Sequence, residues 1–400
     1  MRLAVLTLGV HPDLIGGAYR YVTEISQGLA RRGHGVDVIC PKPIASLPTE
    51  EIVSGLRVRR FPNASGFFFN NWRQENRAAR ALLKEILDRD PTTIVLICHA
   101  YFAPLIPALP AAPVFLFTGP WAEEYLWNHA PAGIFKQLIA AVMRRTERRA
   151  LRSSSGILTI SRYYEEMLPR WHGTNLPRIG LLKGGVDAEH FAPATDRPHV
   201  REKLGAGANE FVLLALRRLE PRMGLALLLE SFADASKEFP NARLWVAGQG
   251  SQQGALTSRT AALGLERRVK IMGKIPEANL PGTLSAADCL IMPSLDLEGF
   301  GLATLEALAC GTPVLGSNCG ANPELLGPIG KELLFEANSR SSLTGKLRQV
   351  LSGRLRLPPR AACRQHVLEN FSWAETARQT EEYISEYAAQ RGMPRLTPAP

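Results

Sequence analysis

Glu298 and Glu306 bracket the stretch of this chain best suited to chemistry: Glu298-Gly-Phe-Gly-Leu-Ala-Thr-Leu-Glu306, continued by Ala-Leu-Ala-Cys-Gly-Thr-Pro-Val314. The apolar run Cys289-Leu-Ile-Met-Pro-Ser294 before it reads as a buried strand, and Glu298 as a loop residue. Gly299 and Gly301 then open a helix whose second turn carries Glu306, and Gly311 ends it. A helix N-terminus has free N–H groups and a positive dipole end, which suit an anion such as a diphosphate. Ionised carboxylates accept hydrogen bonds from hydroxyl groups. Diphosphate and polyol together make a nucleotide sugar. The plainer alternative for these residues alone is a strand-loop-helix with two surface glutamates.

Other residues of the right type end apolar runs elsewhere. Gly16 and Gly17 follow the loop after the first strand, where absent side chains let backbone approach a ligand closely. His99 ends the run 94–98. Arg217-Arg-Leu-Glu-Pro-Arg-Met-Gly224 follows the run 211–216 and reads as a phosphate clamp or as a solvated basic loop. Gly248-Gln-Gly250 follows 243–247; it is a weak match to a dinucleotide loop, one residue off the GxGxxG spacing. Gly273-Lys-Ile275-Pro276 follows 269–272.

The elements behind these residues alternate. Strands are expected at 3–8, 36–39, 94–98, 114–117 and 156–160, with helices at 19–32 and 75–89 between them. A second strand-helix series runs 211–216, 226–238, 243–247, 269–272, 289–292 and 314–316. Alternation of this kind implies parallel sheets covered by helices, with ligands at the carboxyl ends of the strands. At 400 residues the default is two domains. The boundaries expected are 1–190 and 191–371, with 187–208, rich in Pro, Ala and charge, as the connection. A last helix, 372–390, is capped by Ser372 with Glu375 three residues later.

The stretch 298–314, with Pro323-Glu324, resembles the Glu-x7-Glu motif of the retaining family-four glycosyltransferases with the GT-B fold. The resemblance is strong over 211–326 and weak over 40–90. It implies an α/β fold of two Rossmann-like domains facing across a cleft, the final helix crossing back to the first domain. It also implies transfer of a hexose from a UDP- or GDP-sugar to a hydroxyl acceptor, as in cell-surface polysaccharide or glycolipid synthesis. Reaction would occur on one face of the sugar, with the leaving phosphate helping to deprotonate the acceptor. In this resemblance Glu298 holds the sugar hydroxyls, Glu306 the ribose, and His99, in His99-Ala-Tyr-Phe-Ala-Pro104, the transferred sugar. Gly16, Gly17, Gly248, Gly250, Gly299, Phe300, Gly301 and Leu302 line the donor, and Gly273 and Ile275 lie where main-chain groups hold the base.

Two departures from the family pattern stand out. The pattern is Gly-Arg-Leu, two or three residues, then Lys-Gly, with the arginine and lysine clamping the diphosphate. Arg218 matches the arginine, but Met223 stands at the lysine, and the neighbouring Arg222 is the expected replacement. Thr118 stands where a second histidine is common.

Composition agrees with a globular protein: 46% hydrophobic, 21% charged. The net charge of +10 favours anionic partners without choosing among them. Six cysteines without a paired spacing read as buried thiols of a reducing compartment, hence a cytoplasmic protein. No HxxxH, paired-cysteine or acidic metal motif occurs, so neither metal nor cofactor is expected, and no nucleic-acid motif is present. The start of the chain does not read as a signal peptide, and 94–117 is too proline-rich to span a membrane. Apolar residues at 134, 135, 138, 139, 142 and 143 form one helical stripe beside Lys136 and five arginines, 144, 145, 148, 149 and 152. The stripe is read first as core-facing, with docking on the anionic inner face of the cell membrane as the alternative. Phe67-Phe-Phe-Asn-Asn-Trp72 is a second acceptor or membrane candidate, with core packing as the alternative. Partners are thus a nucleotide sugar and a carbohydrate or lipid-linked acceptor. A nucleotide-sugar binding protein without turnover and a GT-B sugar epimerase are the other readings.

Overall fold

The computed structural model describes residues 1–64, 68–129 and 133–390. The described residues divide into two compact units: residues 1–184 together with 373–390, and Gly185–Ser372.

The first unit is built on eight strands: β1 (Arg2–Leu6), β2 (Gly35–Lys42), β3 (Glu50–Val53), β4 (Leu56–Pro62), β5 (Ile94–Ile97), β6 (Val114–Phe117), β7 (Gly156–Thr159) and β8 (Ile179–Leu181). Their order is β3-β4-β2-β1-β5-β6-β7-β8, parallel throughout except for the β3–β4 pair. Strands β5, β6 and β7 are buried at every position, as strands covered on both faces must be. The second unit holds β9 (Phe211–Leu216), β10 (Ala242–Ala247), β11 (Val269–Gly273), β12 (Cys289–Met292), β13 (Val314–Ser317) and β14 (Leu334–Phe335). This sheet is wholly parallel, in the order β11-β10-β9-β12-β13-β14.

Each sheet reverses direction of growth once. In the first the reversal lies between β1 and β5, and in the second between β9 and β12. The helices leaving adjacent strands there go to opposite faces, which opens a crevice at the carboxyl ends.

The helix Trp373–Gln390 packs on the Gly17–Arg31 helix of the first unit. Tyr21 meets Trp373 edge-on at 5.2 Å, His34 Nε2 lies 3.0 Å from Glu381 Oε1, and the Tyr383 hydroxyl donates to the Arg178 carbonyl at 2.8 Å.

Two expectations need correction, and one element has no local signal. The β3–β4 hairpin lacks an apolar alternation that would announce it, because its strands carry Glu50, Glu51, Arg57, Arg59 and Arg60. The arginines at 59 and 60 are nevertheless buried by ion pairing: Arg59 Nη1 reaches Glu85 Oε2 at 3.2 Å, and Arg60 Nε reaches Asp13 Oδ2 at 2.8 Å. A two-residue Ser54-Gly55 turn with positive φ at both residues closes the hairpin. Residues 187–208 are not a free connection but part of the second unit. The helix Arg197–Lys203 is pinned there by Arg201, whose buried guanidinium bonds Asp288 Oδ2 at 3.0 Å and the Ala286 carbonyl at 2.7 Å. Finally, the stripe on the Ile134–Arg152 helix faces the core only at Ile139 and Met143. Ala140, Glu147, Ala150 and Leu151 are buried with Met143, while Ile134, Phe135, Leu138 and Val142 are exposed. Among the described residues no helix is long and apolar enough to cross a membrane.

Candidate active site

The loop after β1 carries the glycine pair. Thr7 Oγ1 donates to the Gly9 carbonyl at 3.1 Å, and the His11 amide to Thr23 Oγ1 at 3.0 Å. Asp13, in the same loop, takes the Arg60 guanidinium, which has no solvent exposure. The buried pair ties the loop to β4 and so fixes where Gly16, the helix-capping residue, and Gly17 begin the Gly17–Arg31 helix.

His99 follows β5 and caps the short 3-10 helix Ala100–Ala108. Its Nδ1 accepts from the Tyr101 amide at 3.1 Å, which puts the proton of the neutral ring on Nε2. Burial pushes its pKa down to about 4, so the ring is neutral at physiological pH. Half-buried aromatic rings gather around it. Trp121 lies edge-on at 5.3 Å and meets Tyr101 at 6.1 Å; Trp72 meets Tyr101 at 6.3 Å. Trp72 donates its indole N–H to the Tyr101 carbonyl at 2.7 Å, and the Tyr101 hydroxyl bonds Glu75 Oε2 at 2.6 Å. Of the run 67–72, Phe67 lies outside the described residues, as does the proline-rich end of the chain.

In the second unit the reversal between β9 and β12 brings Arg217, Ser294 and Glu298 together. Arg217 Nη2 donates to Glu298 Oε2 at 2.6 Å, Arg217 Nη1 to Ser294 Oγ at 2.8 Å, and Ser294 Oγ to the same Glu298 oxygen at 2.6 Å. Both hydrogen bonds to the carboxylate fall on Oε2. Burial alone would raise the Glu298 pKa. The charges of Arg217 and Arg222 and the Ser294 hydrogen bond outweigh it and hold the carboxyl below the ordinary glutamate value. The residue before it, Leu297, has φ +52°, a left-handed conformation that costs a non-glycine residue about 1–2 kcal/mol. Its carbonyl takes the Arg222 Nη1 at 2.9 Å and its amide donates to Asp296 Oδ1 at 2.8 Å, which hold the turn.

Gly301, at φ +85°, caps the Leu302–Ala309 helix, and Phe300 and Glu306 are buried beside it. Gly248 and Gly273 meet where the Gly248 amide donates to the Gly273 carbonyl at 2.7 Å. A Cβ on Gly248 would stand 1.8 Å from the Arg217 carbonyl oxygen, and its φ is +136°, so only glycine fits beside the arginine. Gly250 approaches the Leu219 carbonyl in the same way, and Ile275 is half-buried after β11.

The expected clamp residues separate. Arg218 is exposed and makes no hydrogen bond among the described residues, whereas Arg222 is buried under the Glu298 loop. Sequence reasoning missed Arg217 and Ser294. The usable signal was the doubled arginine at the end of β9: adjacent residues diverge, and either could turn toward the β12 loop. Among the described residues no three His, Cys, Asp or Glu side chains are grouped to hold a metal ion.

Comparison with known proteins identifies the family. Residues 196–367 match the family model of glycosyl transferases group 1, and residues 15–190 that of glycosyltransferase family 4. A GDP-mannose-dependent monoacylated alpha-(1-6)-phosphatidylinositol monomannoside mannosyltransferase of Corynebacterium glutamicum is 32% identical over 57% of the chain; the match spans 62% of that relative's length. Glycogen synthase of Mycobacterium tuberculosis is 27% identical over 98% of the chain and 96% of its own length. Among solved structures, sucrose-phosphate synthase from Thermosynechococcus elongatus superposes with a TM-score of 0.81 at 20% identity, covering 97% of this chain and 99% of that one. Anabaena HepE in complex with UDP-glucose superposes at 0.74 and 19% identity, covering 96% and 100%. The two family models tile the chain from residue 15 to residue 367, its two sheets are those of the GT-B fold, and the protein belongs to the family-four glycosyltransferases.

Proposed function

We propose that the protein moves a hexose from a nucleoside diphosphate sugar to a hydroxyl acceptor, with retention at the anomeric carbon and without a metal ion. The observation that carries this reading is the ionised, buried Glu298 carboxylate beside a helix N-terminus at the reversal point of a parallel sheet. A carboxylate there accepts sugar hydroxyls, and the helix N–H groups favour the diphosphate. Glu306 takes the ribose, and the Gly248 and Gly273 backbone lines the nucleotide. Arg218 adds charge to the leaving phosphate. In the first unit Gly16, Gly17 and neutral His99 serve the transferred sugar and the acceptor.

The acceptor in this proposal is lipid-linked. Ile134, Phe135, Leu138 and Val142 are 70%, 79%, 59% and 45% exposed, on a helix whose single carboxylate, Glu147, is buried. Arg145 and Arg149 lie on the same helical face, Lys136 lies on the first turn of the same helix, and none of the three side chains has a partner among the described residues. Apolar side chains amid uncompensated cations suit a bilayer containing anionic lipid. The Corynebacterium relative is named for a phosphatidylinositol-based acceptor, which favours the same reading.

Incubation with labelled UDP-, GDP- and ADP-sugars tests the central proposal. Transfer or slow hydrolysis in the presence of a chelator, with product of unchanged anomeric configuration, is the expected result. Binding without turnover, even with candidate acceptors, would make the protein a binding protein. A changed sugar still on its nucleotide would make it an epimerase.

A further inference from the structure

Arg217 is an under-satisfied cation. Nη1 has Ser294 Oγ at 2.8 Å and otherwise only Met292 Sδ at 3.9 Å. Nη2 has Glu298 Oε2 at 2.6 Å and otherwise only Met223 Sδ at 2.9 Å. Nε is buried and has no partner among the described residues. Thioether sulfur is a weak acceptor, so of the five guanidinium N–H groups only two have a strong one. Leaving donors of a buried charged group unpaired is costly, so an acceptor brought to these N–H groups would be bound favourably. The side chain is only 6% exposed, and the Gly248 backbone packs against the Arg217 main-chain carbonyl.

The position of Met223 points to that acceptor. A lysine at 223 would share the methionine stem and end one atom beyond the thioether methyl. Met223 Sδ already lies 2.9 Å from Arg217 Nη2, so an ammonium on the same stem would come close to the Arg217 guanidinium. Two cations there would repel each other. One positive charge is delivered to this point, from position 217 instead of 223, and the methionine is what a second cation must give way to. Arg222, the neighbouring candidate, instead aims Nη1 at the Leu297 carbonyl and supports the loop.

We propose that Arg217 does the work expected of a lysine at 223: it orients the Glu298 carboxylate with one edge and offers its remaining donors to a diphosphate oxygen of the donor. This rests on the nucleotide-sugar reading and assigns its missing charge. The test is a charge relocation. Arg217→Gly, Met223→Lys and the double variant are compared for UDP and GDP affinity by calorimetry, for turnover of labelled UDP-glucose and GDP-mannose, and for melting temperature. Arg217→Gln, which can still hydrogen-bond Ser294 and Glu298 without the charge, is made alongside in case the glycine empties the site and the fold fails.

Arg217→Gly and Arg217→Gln are expected to lose roughly 100-fold in kcat, the scale for removing one charge-stabilising donor. Nucleotide affinity falls with it. Met223→Lys in the presence of Arg217 is expected to weaken turnover, and the double variant to recover at least tenfold over Arg217→Gly. A merely structural arginine would lower the melting temperature without that rescue. Native turnover in Arg217→Gln, or a folded double variant no better than the single, overturns the inference while leaving the nucleotide-sugar reading intact. If the unaltered protein binds neither nucleotide and turns over neither sugar, both fall.

Discussion

Gly320 lies directly against the backbone of Glu298: a Cβ on it would stand 2.2 Å from the Glu298 carbonyl oxygen, and the Ala321 amide donates to that oxygen at 2.8 Å. With φ +58°, Gly320 is also left-handed. The segment after β13 thus clamps the loop after β12 that carries Glu298. Gly320→Ala must pay about 1–2 kcal/mol for its backbone alone and must push the Glu298 loop away. Calorimetry should give a melting temperature several degrees lower, and sugar turnover should fall with it. A variant that melts and turns over like the parent would show that the contact does not hold Glu298 in place.

Glu298→Gln should cut transfer at least about 100-fold. It should also cost stability, because the buried Arg217 guanidinium loses its countercharge, and stranded buried charges are expensive. Glu298→Gln together with Arg217→Gln should melt higher than Glu298→Gln alone. Equal melting temperatures would mean that the pair is not coupled.

His99 gives a pH signature. Its pKa is lowered from 6.5 to about 4 by burial, so between those values the unfolded chain binds the proton and the folded protein does not. Its contribution to stability is therefore complete above pH 6.5 and is lost as pH falls toward 4. Denaturant midpoints measured across this window should fall less steeply for His99→Asn. An imidazole resonance titrating near 6.5 in the folded protein would contradict the assignment.

The Ile134–Arg152 helix should carry vesicle binding. Sedimentation with phosphatidylcholine vesicles should be weak and should rise when phosphatidylglycerol is included. Phe135→Ser with Leu138→Ser should abolish it. Replacing Lys136, Arg145 and Arg149 by glutamine should weaken it several-fold per residue. Equal binding to neutral and anionic vesicles would rule out the charge argument. Self-association lost in the serine variant, without vesicle binding, would identify a second copy of the chain as the occupant.

Much of the scaffold was legible in the sequence. The apolar runs at β1, β5, β6, β9, β10 and β12 and the glycines that stop helices are local signals, and the strands lie within a residue or two of where they were expected. The β3–β4 hairpin was not legible, because charged residues in its strands are buried by partners elsewhere in the chain. The 134–143 stripe misled for the opposite reason: apolar periodicity announces a face without saying what covers it.

The sequence by itself determined the order of elements and the residue types at their ends, Glu298 and Glu306 around a glycine-rich helix start above all, since periodicity and punctuation act over a few residues. Tertiary structure alone decided which of two adjacent arginines reaches Glu298, 81 positions away, and that Asp13 is fixed by Arg60, 47 positions on. Such pairings depend on which strands become neighbours in the sheet. The reversal between β9 and β12, and not any property of residues 217 and 218 themselves, made Arg217 the partner.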